Sequence, residues 1–314
     1  MLLDLVPEFL DVLAARDPRG AWDAYRWRHR PLLDAYWRNY VLDPDDAQAE
    51  PLVQAVLRAD RQDLRHLLAT HDVEAIAADA AGRARSVLGI SRGTDVVLMV
   101  GMGAANAGEL VLDGRGVAFA CLEHFTGRAN PTTDGLGLPP ALLAPWLAHE
   151  LAHTVRYTAT DSASELRRLV LDAGGYYDFW ETGRRATLRE LLLNEGLAVH
   201  AAQAVAPGFP LEAYLGFSRR QLHRVRELEA FLRRALAPDL DRCGLGLRLR
   251  YLCGGLPPSA RMVEGRVIPE RAGYYLGWRM AAPLVREVGI AGALRAAPAA
   301  FTEAEARHRA VQSA

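Results

Sequence analysis

Residues 145–158 read Pro145-Trp-Leu-Ala-His-Glu-Leu-Ala-His-Thr-Val-Arg-Tyr-Thr158, and this stretch decides the fold. Pro145 suits a helix first turn, and Trp146, Leu147, Leu151 and Val155 are spaced to bury a helix over about 142–158. Residues four apart lie about 40° apart around a helix axis, so His149 and His153 project from one face, one turn apart. Two imidazoles so placed can ligate one Zn²⁺. Glu150 stands beside them, where its carboxylate can take a proton from water that the metal activates. With 9 His and 18 Glu in 314 positions, chance matches to His-Glu-x-x-His number roughly 0.01–0.02. The bland alternative is two surface histidines on an amphipathic helix.

A catalytic zinc site needs a third protein ligand. One class of such proteins continues the motif with Gly and a third His, but Thr154-Val-Arg-Tyr-Thr-Ala159 holds neither. The other main class places a Glu on a later helix. Leu188-Arg-Glu-Leu-Leu-Leu-Asn-Glu195-Gly-Leu-Ala-Val-His200 is such a helix, with Glu195 42 residues after His153. A carboxylate in so apolar a stretch needs a cation, because an isolated buried charge is very costly. Gly196 is expected to let this helix approach the His149 helix closely. Glu190 and His200 compete as ligands, and a Glu195–Arg ion pair is the structural alternative.

Upstream, Asp95-Val-Val-Leu-Met-Val100 and Val117–Leu122 read as short buried strands. Gly101-Met-Gly103 reads as a turn, since a dinucleotide loop needs a third glycine and a following helix. Residues 130–140 form a loop into the metal helix, and helical periodicity resumes from Leu142. The first 90 residues read as helical, with Leu2, Leu5, Val6, Phe9, Leu10 and Leu13 on one stripe and Trp22 through Tyr40 on a second helix. The expected architecture is α+β and predominantly helical, with a small sheet over 95–122 packed on the His149 helix. It divides into a helical region, 1–90, and a catalytic domain, 91–314, whose part from 160 onward is helical.

Composition narrows the function. All 37 basic residues are Arg, against 38 acidic ones, for a net charge of −1. Without lysine, Schiff-base and P-loop chemistry are excluded, and near-neutrality argues against nucleic-acid binding. Cys121, Cys243 and Cys253 form no CxxC pair, so neither a disulfide framework nor a four-cysteine zinc site is expected. Asp4, Glu8 and Asp11 interrupt what would be a secretory signal, and no apolar run is long enough to span a membrane. The expectation is a soluble protein of a reducing compartment, the cytoplasm.

Together, the His149–His153 motif and the later Asn194-Glu195-Gly196-Leu197-Ala198 resemble the gluzincin clan of zinc metallopeptidases. They are most similar to a bacterial family of predicted zinc-dependent proteases. Over roughly 95–290 the resemblance adds the two β-runs and Gly273-Tyr274-Tyr275-Leu276-Gly277, similar to the family's Gly-Tyr-x-x-Gly segment. It implies a thermolysin-like zincin core holding one Zn²⁺ per chain through His149, His153 and Glu195. Glu150 would be the general base, and a peptide or protein the substrate. It further implies that an edge strand at Val117, Ala118, Phe119 and Ala120 pairs with the substrate main chain. Tyr274 would donate to the oxyanion, with Tyr275 the second choice and a packed aromatic pair the structural alternative. Many gluzincins carry an acidic residue four positions after the glutamate ligand to orient a zinc histidine; Val199 stands there, so that support must come from elsewhere. Two other functions stay open. One is a zinc hydrolase of a non-peptide amide or cross-linked peptide; the other is a non-catalytic zinc- or partner-binding protein.

Overall fold

The computed structural model describes residues 1–90 and 93–312. The chain opens with β1 (Leu2–Asp4) and the helices α1 (Val6–Ala14), α2 (Pro18–Arg28), α3 (Arg30–Tyr40), α4 (Ala49–Arg58), α5 (Gln62–Thr70) and α6 (Val73–Leu88). The strands β2 (Asp95–Met99), β3 (Ala107–Leu112) and β4 (Arg115–Cys121) follow, then a hairpin of β5 (Ala129–Asn130) and β6 (Gly135–Leu136). Next come α7 (Leu143–Thr158), α8 (Glu165–Asp172), α9 (Phe179–Arg185), α10 (Leu188–Val205), α11 (Leu211–Leu215), α12 (Arg219–Glu227), α13 (Glu229–Leu236) and α14 (Leu245–Leu252). A hairpin of β7 (Met262–Val263) and β8 (Arg266–Val267) precedes α15 (Ala272–Arg295) and α16 (Pro298–Gln312). The fold is predominantly helical with a small sheet. No helix among the described residues is long and apolar enough to cross a membrane.

Local chemistry sets the helix boundaries. Asp17, Asp72, Ser164, Asp178 and Thr187 each accept a main-chain N–H at a helix start. The single helix expected over Trp22–Tyr40 is two, because Pro31 lacks an N–H and disfavours helical backbone before it; the break falls at His29.

The four-stranded sheet has the order β1-β2-β4-β3, parallel except for β3. Its runs are apolar on both faces because both are covered. Side chains alternate along β4. Phe119 meets the α3 rings of Tyr36 and Tyr40, with centroids 5.4 and 5.1 Å away. On the other face, a Cβ at Gly116 would lie 2.6 Å from Thr154 of α7. Gly116, Ala118 and Ala120 therefore present a flat surface on which α7 lies close.

Three expectations are corrected here. The strand β4 is internal, paired with β2 on one side and β3 on the other, so Val117, Ala118, Phe119 and Ala120 offer no free edge. The edge beside α7 is β3, a strand that the sequence reading passed over because Glu109 interrupts its apolar run. Residues 2–4 form a strand of the sheet rather than the start of a helix, pairing with 96–98. Phe9, Trp37 and Leu88 share one apolar cluster with Val97, Leu147 and Leu197.

Gly196 supplies the third correction. It faces α15 and not α7, for a Cβ there would fall 2.0 Å from the main chain of Gly277. Gly277 and Gly273 lie one turn apart on α15, where added Cβ atoms would fall 1.8 Å from Leu192 O and 2.7 Å from the Leu192 side chain. Glycine on both helices brings α10 and α15 into main-chain contact.

Candidate metal centre

Helix α7 is buried along almost its whole length, between the sheet and α10. Its register turns His149 and His153 toward α10, whose Glu195 meets them. The Nε2 atoms of His149 and His153 lie 3.4 and 3.6 Å from Glu195 Oε2. Those gaps are long for charge-assisted hydrogen bonds, which fall near 2.7–2.9 Å. They match the edges of a tetrahedron whose corners lie about 2.0–2.2 Å from a common ion. All three ligand atoms fall within 4.8 Å of one another. The histidine side chains are 3% exposed and that of Glu195 13%, so the centre opens on the glutamate side. The donor set, two imidazoles and a carboxylate with one open side, fits zinc.

Without a metal, the three groups lean on one another. Burial alone would push the Glu195 carboxyl up, but His153 and then His149 hold it well below the usual range. Burial pulls His153 down and Glu195 outweighs it, leaving this imidazole raised to about 10. Burial lowers His149. A buried carboxylate that needs a cation, and imidazoles that supply it only by protonation, form a set that a dication would satisfy.

The competing ligands go elsewhere. Glu190 pairs with the buried guanidinium of Arg156, and His200 Nε2 sits 2.9 Å from the Trp278 carbonyl. An Arg ion pair is thus present on α10, at Glu190 and not at Glu195. His124 lies in a buried single turn and accepts from the Leu136 N–H at 3.3 Å.

The missing acid at Val199 has no hydrogen-bonding substitute: neither histidine's Nδ1 meets a partner among the described residues. The rings are held by stacking instead. His149 stacks on Tyr274 at 6.0 Å and meets Trp146 at a tilt at 5.7 Å, and His153 stacks on Tyr157 at 6.2 Å. Tyr275 is committed elsewhere, its hydroxyl donating to Glu229 at 2.8 Å. Of the two tyrosines, the structure places only Tyr274 beside the centre.

Glu109 of β3 is a residue the sequence reading missed. Its alternation puts it on the α7 face, where its carboxylate lies within reach of Glu150 and His153. Tyr157 donates to Glu109 Oε1 at 2.9 Å, and the Tyr40 hydroxyl lies 3.1 Å from Oε2. Burial, followed by the Glu109 charge, holds the Glu150 carboxyl well above its ordinary value. The signal in the sequence was one acid at the middle of Ala107-Gly-Glu-Leu-Val-Leu112. An unpartnered charge in a buried strand calls for a polar neighbour.

Two histidines one turn apart on α7, a glutamate from α10 and a carboxyl beside them make a candidate metal centre. The model of a family described as "Predicted Zn-dependent protease (DUF2268)" matches residues 176–302. The matched span takes in Glu195 and the Gly273–Gly277 segment and begins after His153. No curated protein and no solved structure matches the chain.

Proposed function

We propose that the protein is a zinc-dependent peptidase with a zincin-type core, holding one Zn²⁺ per chain through His149, His153 and Glu195. The observation that carries this reading is the convergence of both Nε2 atoms on Glu195 Oε2 at tetrahedral-edge spacing, next to Glu150. Bound there, zinc supplies Lewis acidity and a positive charge beside Glu150, favouring water ionisation, carbonyl polarisation and the ionised form of that carboxyl. Glu150 takes the proton from the attacking water and delivers it to the leaving nitrogen. The Tyr274 hydroxyl, beside His149, donates to the developing oxyanion. Glu109, which accepts from Tyr157, places a second carboxyl beside Glu150 on the sheet side and disfavours its ionised form when the metal is absent.

The test is metal content and hydrolysis in three proteins. The parent should bind one zinc and cleave peptides. Glu150→Gln should keep zinc and lose turnover by 10²-fold or more, roughly the contribution of general base catalysis, and Glu195→Ala should lose both. A parent that purifies without metal and binds none on titration removes this reading. Full turnover in Glu150→Gln removes Glu150 from the mechanism.

A further inference from the structure

The free edge of β3 is already hydrogen-bonded. The Tyr40 hydroxyl accepts from the Glu109 N–H at 3.1 Å and lies 2.9 Å from its carbonyl oxygen, and Tyr177 N–H donates to the Val111 carbonyl at 3.1 Å. A long extended peptide therefore finds no open ladder beside the metal centre. The end of a chain needs none, only an anchor for its terminal charge.

Such an anchor stands on the opposite side. Arg271 precedes α15, half-buried, with its Cζ 4.2 Å from the Tyr274 ring centroid and 5.9 Å from that of Trp146. These are the two rings that also contact His149, with centroids 5.7 and 6.0 Å from its own. No carboxylate among the described residues lies within 4.0 Å of it. The adjacent Glu270 faces Arg261 instead, and the partners of Arg271 are the Gly216 carbonyl at 3.5 Å and the Tyr274 hydroxyl, toward which it donates. The backbone at Arg271 is left-handed, with φ 56° and ψ 22°. A side chain with a Cβ is strained there, and such strain persists where surrounding structure holds it, commonly at binding sites. A half-buried guanidinium 4.2 Å from the ring that stacks on His149, with no carboxylate partner among the described residues, can take a planar anion in two hydrogen bonds.

We propose that Arg271 binds a substrate carboxylate one residue beyond the scissile bond, so that this site acts at peptide C-termini. The inference rests on the peptidase reading for the position of that bond. Arg271 and His149 both contact the Tyr274 ring, so the guanidinium belongs to the same neighbourhood as the ligands, and one residue of about 3.5 Å is the shortest spacer between a scissile bond and a terminal carboxylate. An aspartate or glutamate side chain offers the same chemistry; the closed β3 edge favours the chain end.

The test uses the full-length, zinc-loaded Glu150→Gln protein and three probes in calorimetry. These are an acetylated tripeptide with a free C-terminus, its C-terminal amide, and an amidated peptide with an internal aspartate. The free acid should bind roughly 10- to 100-fold more tightly than its amide, the contribution of charged hydrogen bonds to one Arg. Adding Arg271→Gln should bring the acid down to the amide's level and leave the amide unchanged. Arg271→Lys should keep part of the preference, and Arg271→Asn, which suits the left-handed backbone, should abolish it with the fold intact. Equal binding of acid and amide by the parent, or equal losses for both on Arg271→Gln, overturns the proposal. Equally tight binding of the internal-aspartate peptide overturns its C-terminal assignment. Turnover by unmodified protein separates the two readings. Cleavage indifferent to the terminal charge leaves the peptidase standing without this anchor; carboxylate binding through Arg271 without turnover does the reverse.

Discussion

Replacing Gly277 by alanine inserts one methyl group where α10 and α15 touch. Its Cβ would lie 1.8 Å from the Leu192 carbonyl oxygen and 3.2 Å from the Gly196 nitrogen, while real Cβ contacts stay above 3.0 Å. The obstructing atoms are main chain and cannot rotate aside, so α10 must shift bodily. Overpacking of this kind costs about 1–3 kcal/mol, and two rigid helices place it at the upper end, only partly offset by the roughly 1 kcal/mol better helix propensity of alanine. A net loss of about 2 kcal/mol lowers the melting temperature of a 314-residue chain by roughly 3 °C. The shift also moves Glu195, which directly precedes Gly196, against ligand spacings of 3.4 and 3.6 Å. Zinc affinity, measured by competition with a chromophoric chelator, should fall about 10-fold or more, as for other disturbed ligand shells. The control is Gly82→Ala in α6, where a Cβ meets nothing within 4 Å; it should stabilise by about 0.5–1 kcal/mol. A Gly277→Ala protein with the parent's melting temperature and zinc affinity would refute the close-contact argument.

Two further outcomes test the interior. Burial raises Glu123 to about 7 from its ordinary 4.5, Arg61 opposing, and lowers His124 to about 4 from 6.5. The raised carboxyl contributes fully below pH 4.5 and its contribution is lost as pH rises through 7; the lowered imidazole contributes fully above pH 6.5 and is lost as pH falls through 4. Each displacement is worth on the order of 3 kcal/mol with opposite slope, so between these limits the two largely cancel. Glu123→Gln keeps an acceptor for the Gly101 N–H and removes one slope. Its stability relative to the parent, from urea unfolding at pH 5 and pH 8, should therefore improve with pH; a constant difference would show that Glu123 does not titrate as described. The second outcome concerns the wholly buried Arg156–Glu190 pair. Glu190→Gln strands the guanidinium and should cost about 3–5 kcal/mol, while the double change Arg156→Met with Glu190→Leu should be far milder. A double variant as unstable as the single one would contradict that account.

Legibility followed locality. The α7 helix with His149, Glu150 and His153, and the Glu195 helix, all rest on spacings within one turn or on one buried charge in an apolar run. Those signals survive without knowing what packs against what, and His149, His153 and Glu195 lie side by side in the structure. The choice among Glu190, Glu195 and His200 needed more, because each is a polar group on the same buried helix. Only the position of Arg156 and of the Trp278 carbonyl removes the first and the last.

By itself the sequence pointed to a helix with two histidines one turn apart, a glutamate in an apolar stretch of a later helix, and apolar strands within 95–122. Tertiary structure alone decided which strand is the edge, since β3 and β4 are both apolar and edge status belongs to the neighbours a strand finds. It also decided that Gly196 meets α15, that Glu109 stands behind Glu150, that Tyr274 rather than Tyr275 faces the centre, and that residues 2–4 complete the sheet. Periodicity says which face of an element is buried. What it is buried against depends on contacts between segments far apart in the chain, and no local pattern encodes those.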